Sequence, residues 1–177
     1  GLHFNDKKFF KIYLFSDIFF TLPSYADLPR YLDFKLILNE SVAGKKAQNF
    51  LKSKLEKGIK SIKDQEKKLQ AEEKQIIQQK KIIKPEEYKA KVESLRSKVS
   101  DLQKKRNKIL QDIAAQRSKA RSELLRNLNP LIEEYMKEKN IRMVIDKKSL
   151  LLADQNLDIT KEILDRLNKK LKSIDIK

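Results

Sequence analysis

Between Gly44 and Lys84 the large apolar residues fall on one thin line: Leu55, Ile62, Leu69, Ile76 and Ile83 recur every seven positions, with few others beside Leu51, Ile59, Ile77 and Ile82. A stripe that narrow suits the seam of a coiled coil and is too thin for the apolar face of a globular helix. It commits the chain to long helices that bury surface between helices or between copies. The alternate heptad positions after Ile59 are Glu66, Glu73 and Lys80, which make poor knobs, so the spacing predicts a loosely packed helix over 44–84.

Pro85 interrupts this pattern, and Glu86-Glu87 follows it. Proline in a first turn with carboxylates near the positive end of the helix dipole marks a helix start. The seam beyond is better formed: Tyr88, Val92, Leu95, Val99, Leu102, Arg106, Ile109 and Ile113 alternate spacings of four and three. From Ala120 through Leu124, Leu128 and Leu131 to Tyr135 the heptad phase shifts, which changes the local winding. Two helices of roughly 41 and 54 residues would extend about 60 and 80 Å. A tight turn between them makes an antiparallel coiled-coil hairpin over 44–139 with its tip near 82–86.

Composition agrees. Among 177 residues there are three Gly and four Pro, which argues against sandwiches, barrels and doubly wound folds. Lys and Arg number 41 against 25 Asp and Glu, a net charge of +16. Residues 44–128 hold 25 of the basic and 11 of the acidic residues, so +14 of the excess sits on the hairpin. Such an arm attracts anionic partners, including nucleic acid. Against nucleic acid, it offers only Phe50 and Tyr88 for stacking and has no recognised binding motif. The competing readings are a solvated coiled-coil face and a surface for an acidic or anionic protein client.

With no cysteine, disulfides, thiolate zinc sites and cysteine nucleophiles are excluded. His3 is the one imidazole, which leaves no Ser-His triad and no paired-His metal site in the folded part. Gly44 and Gly58 are isolated and form no phosphate loop. The chain therefore reads as a non-enzyme with no cofactor and no metal.

At the amino terminus Lys7, Lys8 and Lys11 precede an apolar run from Ile12 to Leu22, interrupted by Asp17, and Ser24-Tyr25-Ala26 offers a small-x-small cleavage site. That order is a secretory signal over 1–26, too short in its apolar part to span a bilayer. The mature chain would run from Asp27 to Lys177, outside the cytoplasm. An aromatic-rich amphipathic segment or an uncleaved anchor is the alternative.

After Asn140, Ile141-Arg142-Met143-Val144-Ile145-Asp146 and Leu150-Leu151-Leu152-Ala153 read as two short strands joined by a turn. Ile163, Leu164, Leu167 and Leu171 then mark a helix that either Asp158 or Thr160 caps. One hairpin and one short helix bury little alone, so this module is expected to assemble with other copies.

Ile141 to Asp146, Asp158-Ile159-Thr160-Lys161-Glu162-Ile163-Leu164, Leu38-Asn39-Glu40-Ser41 and Gly44-Lys45-Lys46-Ala47 together resemble the Skp/OmpH-like family of periplasmic outer-membrane-protein chaperones, in order and spacing across 27–177. The resemblance implies a mainly α chain with a small β body. The body, from 27–43 (first strand and short helix) and 140–177 (β-hairpin and terminal helix), would form a homotrimeric β-barrel. Three helical arms would project from it around a cavity for unfolded outer-membrane proteins. Pro29 removes a ladder donor, so the first strand either starts after it or leaves the barrel incomplete.

The reading is an ATP-independent periplasmic holdase. Its client-binding candidates are Lys80, Lys81, Ile82, Ile83, Lys84 and Tyr88 at the tip, and its trimer-core candidates are Met143, Ile145, Leu150 and Leu152. Turn closure explains the first set as well, and intrachain packing the second. Contact with an anionic membrane surface is admitted as a further partner, and specific nucleic acid is not. A basic coiled-coil nucleic-acid-binding protein and a prefoldin-like cytosolic chaperone are the alternatives.

Overall fold

The computed structural model describes residues 28–176, so the expected signal at 1–26 lies outside it. A strand β1 (Arg30–Leu32) leads into a short helix α1 (Phe34–Glu40) and the long helices α2 (Val42–Gln79) and α3 (Pro85–Lys139). Strand β2 (Val144–Asp146), two 3-10 turns and helix α4 (Thr160–Lys170) complete the body. The small sheet pairs β1 with β2 in parallel, Tyr31 opposite Ile145. The strand starts after Pro29, which leaves the missing N–H outside the ladder.

Local capping explains each break. Asp33 accepts from the Leu36 N–H at 3.0 Å and opens α1. Ser41 ends α1 through its own N–H to the Ile37 carbonyl at 3.1 Å, then opens α2 by accepting from the Gly44 N–H at 3.0 Å. Asn168 of α4 accepts from the Val42 N–H at 2.9 Å, so a second free donor at this helix start is met from across the body. Asn140 closes α3 in the left-handed conformation (φ 54, ψ 38), the one residue with positive φ among those described.

The body core gathers Leu32, Ile37, Leu128, Leu131, Tyr135, Ile141, Ile159, Ile163 and Leu167, drawn from β1, α1, the last turns of α3, the residues flanking β2 and α4. On the other side of β1 from β2, the Ile159 N–H donates to the Tyr31 carbonyl at 2.9 Å. Thr160 Oγ1 accepts from the Asp33 N–H at 2.9 Å and itself donates to Asp158 Oδ1, which also accepts from the Thr160 N–H at 2.9 Å. Neither Asp158 nor Thr160 is the cap expected of it: Ile159 holds the N-cap position of α4 without a side-chain bond, Asp158 accepts from the Thr160 N–H next to it, and the Asp-Ile-Thr run becomes the clasp between that helix and the first strand.

The β-hairpin expected over 141–153 is corrected. Lys147–Ser149 folds as a 3-10 turn, with Asp146 Oδ1 accepting from the Lys148 N–H at 3.3 Å and the Lys147 carbonyl accepting from the Leu150 N–H at 3.1 Å. Short hairpin loops need residues that tolerate positive φ, and Lys-Lys-Ser supplies none. Leu150 to Leu152 therefore do not return along β2, and Leu151 and Leu152 stand 97% and 90% exposed. Among the described residues β2 has β1 as its sheet neighbour and its other edge is open.

Helix α4 is fixed to α3 by polar contacts at the body surface. Arg166 donates to both carboxylate oxygens of Glu138, at 3.2 and 2.6 Å, and its guanidinium lies 4.8 Å from the Tyr135 ring centre. Those hydrogen bonds hold the Glu138 carboxyl below its ordinary value of 4.5. Burial, helped by Glu162, raises the Tyr135 phenol above 10.0.

A Cβ on Gly44 would overlap the Leu38 carbonyl oxygen, whereas one on Gly58 would meet Cγ2 of the Ile109 side chain at 3.0 Å, with no backbone atom in the way. Gly44→Ala is expected to destabilise the chain by about 3 kcal/mol and Gly58→Ala by about 1 kcal/mol or less, measured by urea unfolding. Equal losses would mean that the α1–α2 corner is not tightly packed. A second expectation concerns acid. A carboxyl whose folded pKa is depressed contributes stability above its unfolded value, and that contribution disappears as pH falls through the folded value. The melting temperature should fall more steeply from pH 5 to pH 3 in the wild type than in Glu138→Gln, and parallel curves would remove the Glu138–Arg166 pair as a contributor.

Candidate functional site: the helical arm

Helices α2 (38 residues) and α3 (55 residues) pack antiparallel along the whole length of α2. Three cross-helix contacts set the register: Lys91 to Gln79 at 2.7 Å, Lys98 to Glu72 at 2.8 Å and Lys54 to Gln116 at 3.0 Å. Each pair is centred on residue 85, the position of the proline. Of these three, Lys98–Glu72 is an ion pair, and an exposed ion pair is worth only about 0.2–1 kcal/mol, so it selects register more than it supplies stability.

The apolar seam between the helices is discontinuous. Ile62, Ile76, Leu102 and Ile113 are buried, but Leu69 and Leu95 are half-buried and Val99 is exposed. Between these levels lies an open cleft of about 240 Å³ that Glu66 and Glu73 line from α2 and Leu95, Val99 and Arg106 from α3. The loose packing expected of α2 is present. The better seam expected of α3 is not completed, because Val99 and Arg106 face glutamates where a knob is needed. Apolar surface and both signs of charge therefore share one solvent-open cleft.

At the far end, residues 80–84 turn the chain. The Gln79 carbonyl accepts from the N–H groups of Ile82 at 2.9 Å and Ile83 at 3.1 Å, and the Lys84 carbonyl accepts from the Tyr88 N–H at 3.0 Å as α3 begins. Lys80 Nζ sits 5.7 Å from the Tyr88 ring centre. The six tip residues predicted from sequence are thus brought together in two roles. Ile83 and Tyr88 are half-buried and close the turn, while Ile82 is 82% exposed beside the exposed Lys80, Lys81 and Lys84. An exposed isoleucine with three exposed lysines within two residues of it in the chain suits weak contact with apolar, acidic or anionic surfaces.

The four body candidates do not form one cluster within the chain. Ile145 and Leu150 are half-buried, Met143 is 55% exposed, and Leu152 lies on the exposed loop. Sequence reasoning missed the segment after α4: Ile174 and Ile176 pack on Ala47, Leu51, Ile113 and Ala120 at the arm root. The apolar alternation in Ile174-Asp175-Ile176 was its available signal. Among the described residues no helix is long and apolar enough to cross a membrane.

Residues 30–167 match the family model for OmpH-like outer membrane proteins. Six solved chains match the structure, among them the crystal structure of an OmpH-like outer membrane chaperone candidate from Caulobacter crescentus CB15. It superposes with a TM-score of 0.78 at 19% identity over 84% of this chain and 88% of that one, which establishes a common fold. No curated protein sequence matches.

If the glutamates keep the cleft open, replacing them should close it. Glu66→Leu/Glu73→Leu is expected to raise unfolding stability by roughly 1–3 kcal/mol, from the apolar area newly buried against Leu95 and Val99. No gain in a urea titration would mean that these positions are held apart by something other than their charge.

Proposed function

The chain belongs to the family of OmpH-like outer membrane proteins, and from that premise we propose that it is an ATP-independent holdase chaperone of the periplasm. Its clients are unfolded outer-membrane β-barrel proteins, and three copies cooperate. The observation that carries this reading is the arm itself: a basic helical hairpin whose seam is interrupted by an open cleft and whose tip projects an isoleucine among lysines. An unfolded barrel strand exposes apolar residues at alternate positions and aggregates through unpaired edges. Long-range attraction to a basic arm combined with many weak apolar contacts holds such a chain without fixing it, so release requires no nucleotide.

Assembly follows from the body's unfinished surfaces. β2 has an open edge, and Met143, Leu151 and Leu152 are apolar side chains left exposed close in sequence to it. A two-stranded sheet is marginal on its own. In the proposal, Met143, Ile145, Leu150 and Leu152 meet their equivalents from two other copies, and the three arms surround a common cavity. The basic, apolar-tipped arm also suits contact with an anionic membrane surface. Export through a signal at 1–26 places the assembly where such clients pass.

Purified 27–177 is expected to sediment as a trimer and to suppress aggregation of urea-diluted outer-membrane proteins at about one trimer per client. Suppression should weaken in 0.5 M salt, because exposed charges are screened within about 8 Å already at 0.15 M. Lys80→Glu/Lys81→Glu/Lys84→Glu should reduce it several-fold with helicity unchanged. A monomer without effect on aggregation would sink the proposal. Tight, salt-sensitive duplex DNA binding by a cytoplasmic chain would instead support the nucleic-acid alternative.

A further inference from the structure

Helix α4 ends at Lys170, Leu171 takes extended backbone (φ −129, ψ 116), and residues 172–176 continue without helix or strand along the arm root. Ile176 is buried, Ile174 is half-buried and Asp175 between them is exposed, the two-residue alternation of a strand. Ile176 lies on a floor made by Ala47 and Leu51 of α2 and Ile113 and Ala120 of α3, with Leu55 packed at its edge, and Ile174 packs against this cluster and against the neighbouring Leu38, Ala43 and Leu124. Gln116 Nε2 donates to the Ile176 carbonyl at 3.2 Å. The groove exists because Ala47 and Ala120 are small where the seam elsewhere carries Leu and Ile. Side chains at alternate residues and a hydrogen bond to main chain help to hold its occupant, and those two features are ones that any apolar-polar-apolar extended segment reproduces.

We propose that this groove is a binding site for extended segments with apolar residues at alternate positions, and that residues 171–176 fill it in cis as a mimic of such a ligand. The identity of the ligand, an unfolded outer-membrane strand, rests on the holdase reading, because those strands carry this two-residue alternation. A tethered occupant competes at an effective concentration on the order of millimolar. A short free segment therefore displaces it poorly. A long client already held on the arm meets a comparable effective concentration and exchanges with the tail, so the groove loads after the arm does.

Two measurements test this on the full 27–177 chain. The first is anisotropy with a fluorescein-labelled peptide of residues 171–177. Ile174→Ser/Ile176→Ser should bind it at least tenfold more tightly than the wild type, and a peptide with both isoleucines replaced by serine should bind neither protein. Lowered thermal stability without peptide binding, in a variant that keeps its helicity, would show a purely structural tail and overturn the proposal. The second measurement leaves the tail intact, with a photoreactive benzoylphenylalanine at Leu55. Its crosslinks should go to the tail without client and shift to the client when a urea-diluted barrel protein is added. Tail crosslinks unchanged at saturating client, with aggregation still suppressed, reject the groove and spare the holdase. Peptide binding by the tail variant without any suppression of aggregation by the wild type rejects the holdase and spares the groove.

Discussion

The structure depends on how β1 is held. This three-residue strand lies between β2 on one side and the Asp158-Ile159 segment on the other, and the whole arm separates it from both in sequence. The Asp33 N–H reaches Thr160 Oγ1 across 127 positions, and Thr160 is in turn fixed by Asp158. Such non-local pairing is costly in chain entropy until the intervening segment is itself ordered. The arm, folding back on itself about Pro85, brings the two halves of the body together. The buried cluster around Ile37, Leu128, Ile163 and Leu167 then makes the closure favourable.

Seen this way, body and arm divide the work. The body spends its large apolar residues in one cluster and satisfies its helix ends by Asp33, Ser41 and Asn168. The arm is left with a sparse seam and most of the positive charge. Replacing knobs by Glu66, Glu73 and Arg106 lowers the packing energy of the hairpin and leaves an open cleft in its middle. In the proposed holdase, whose contacts are many and weak, that loss is also the means of action. The tail at the arm root belongs to the same pattern, since Ala47 and Ala120 leave room that the chain's own isoleucines cover.

Much of this was legible beforehand, because helical periodicity is a local signal. The heptad line through Leu55, Ile62, Leu69 and Ile76, the restart at Pro85 and the polar knobs at Glu66 and Glu73 announced a long hairpin with a weak seam, and the tip residues fell where the turn is. The Asp-Ile-Thr run was recognised as a helix start, though its second partner, the Asp33 N–H, is far away in sequence and was not visible. The failures occurred where a short segment's structure is set by its neighbours. Leu150 to Leu152 have the composition of a strand, yet the turn before them contains no residue suited to positive φ, so they do not fold back onto the open edge of β2.

The sequence by itself determined the helices, their charge and the position of the fold-back, because each follows from spacing along a single segment. Only the tertiary structure decided that the two strands run parallel across the arm, that α4 clasps β1, and that Ile174 and Ile176 lie in a groove between α2 and α3. Those outcomes depend on which distant groups remain unsatisfied once the helices have packed. A pattern within one segment carries no record of that.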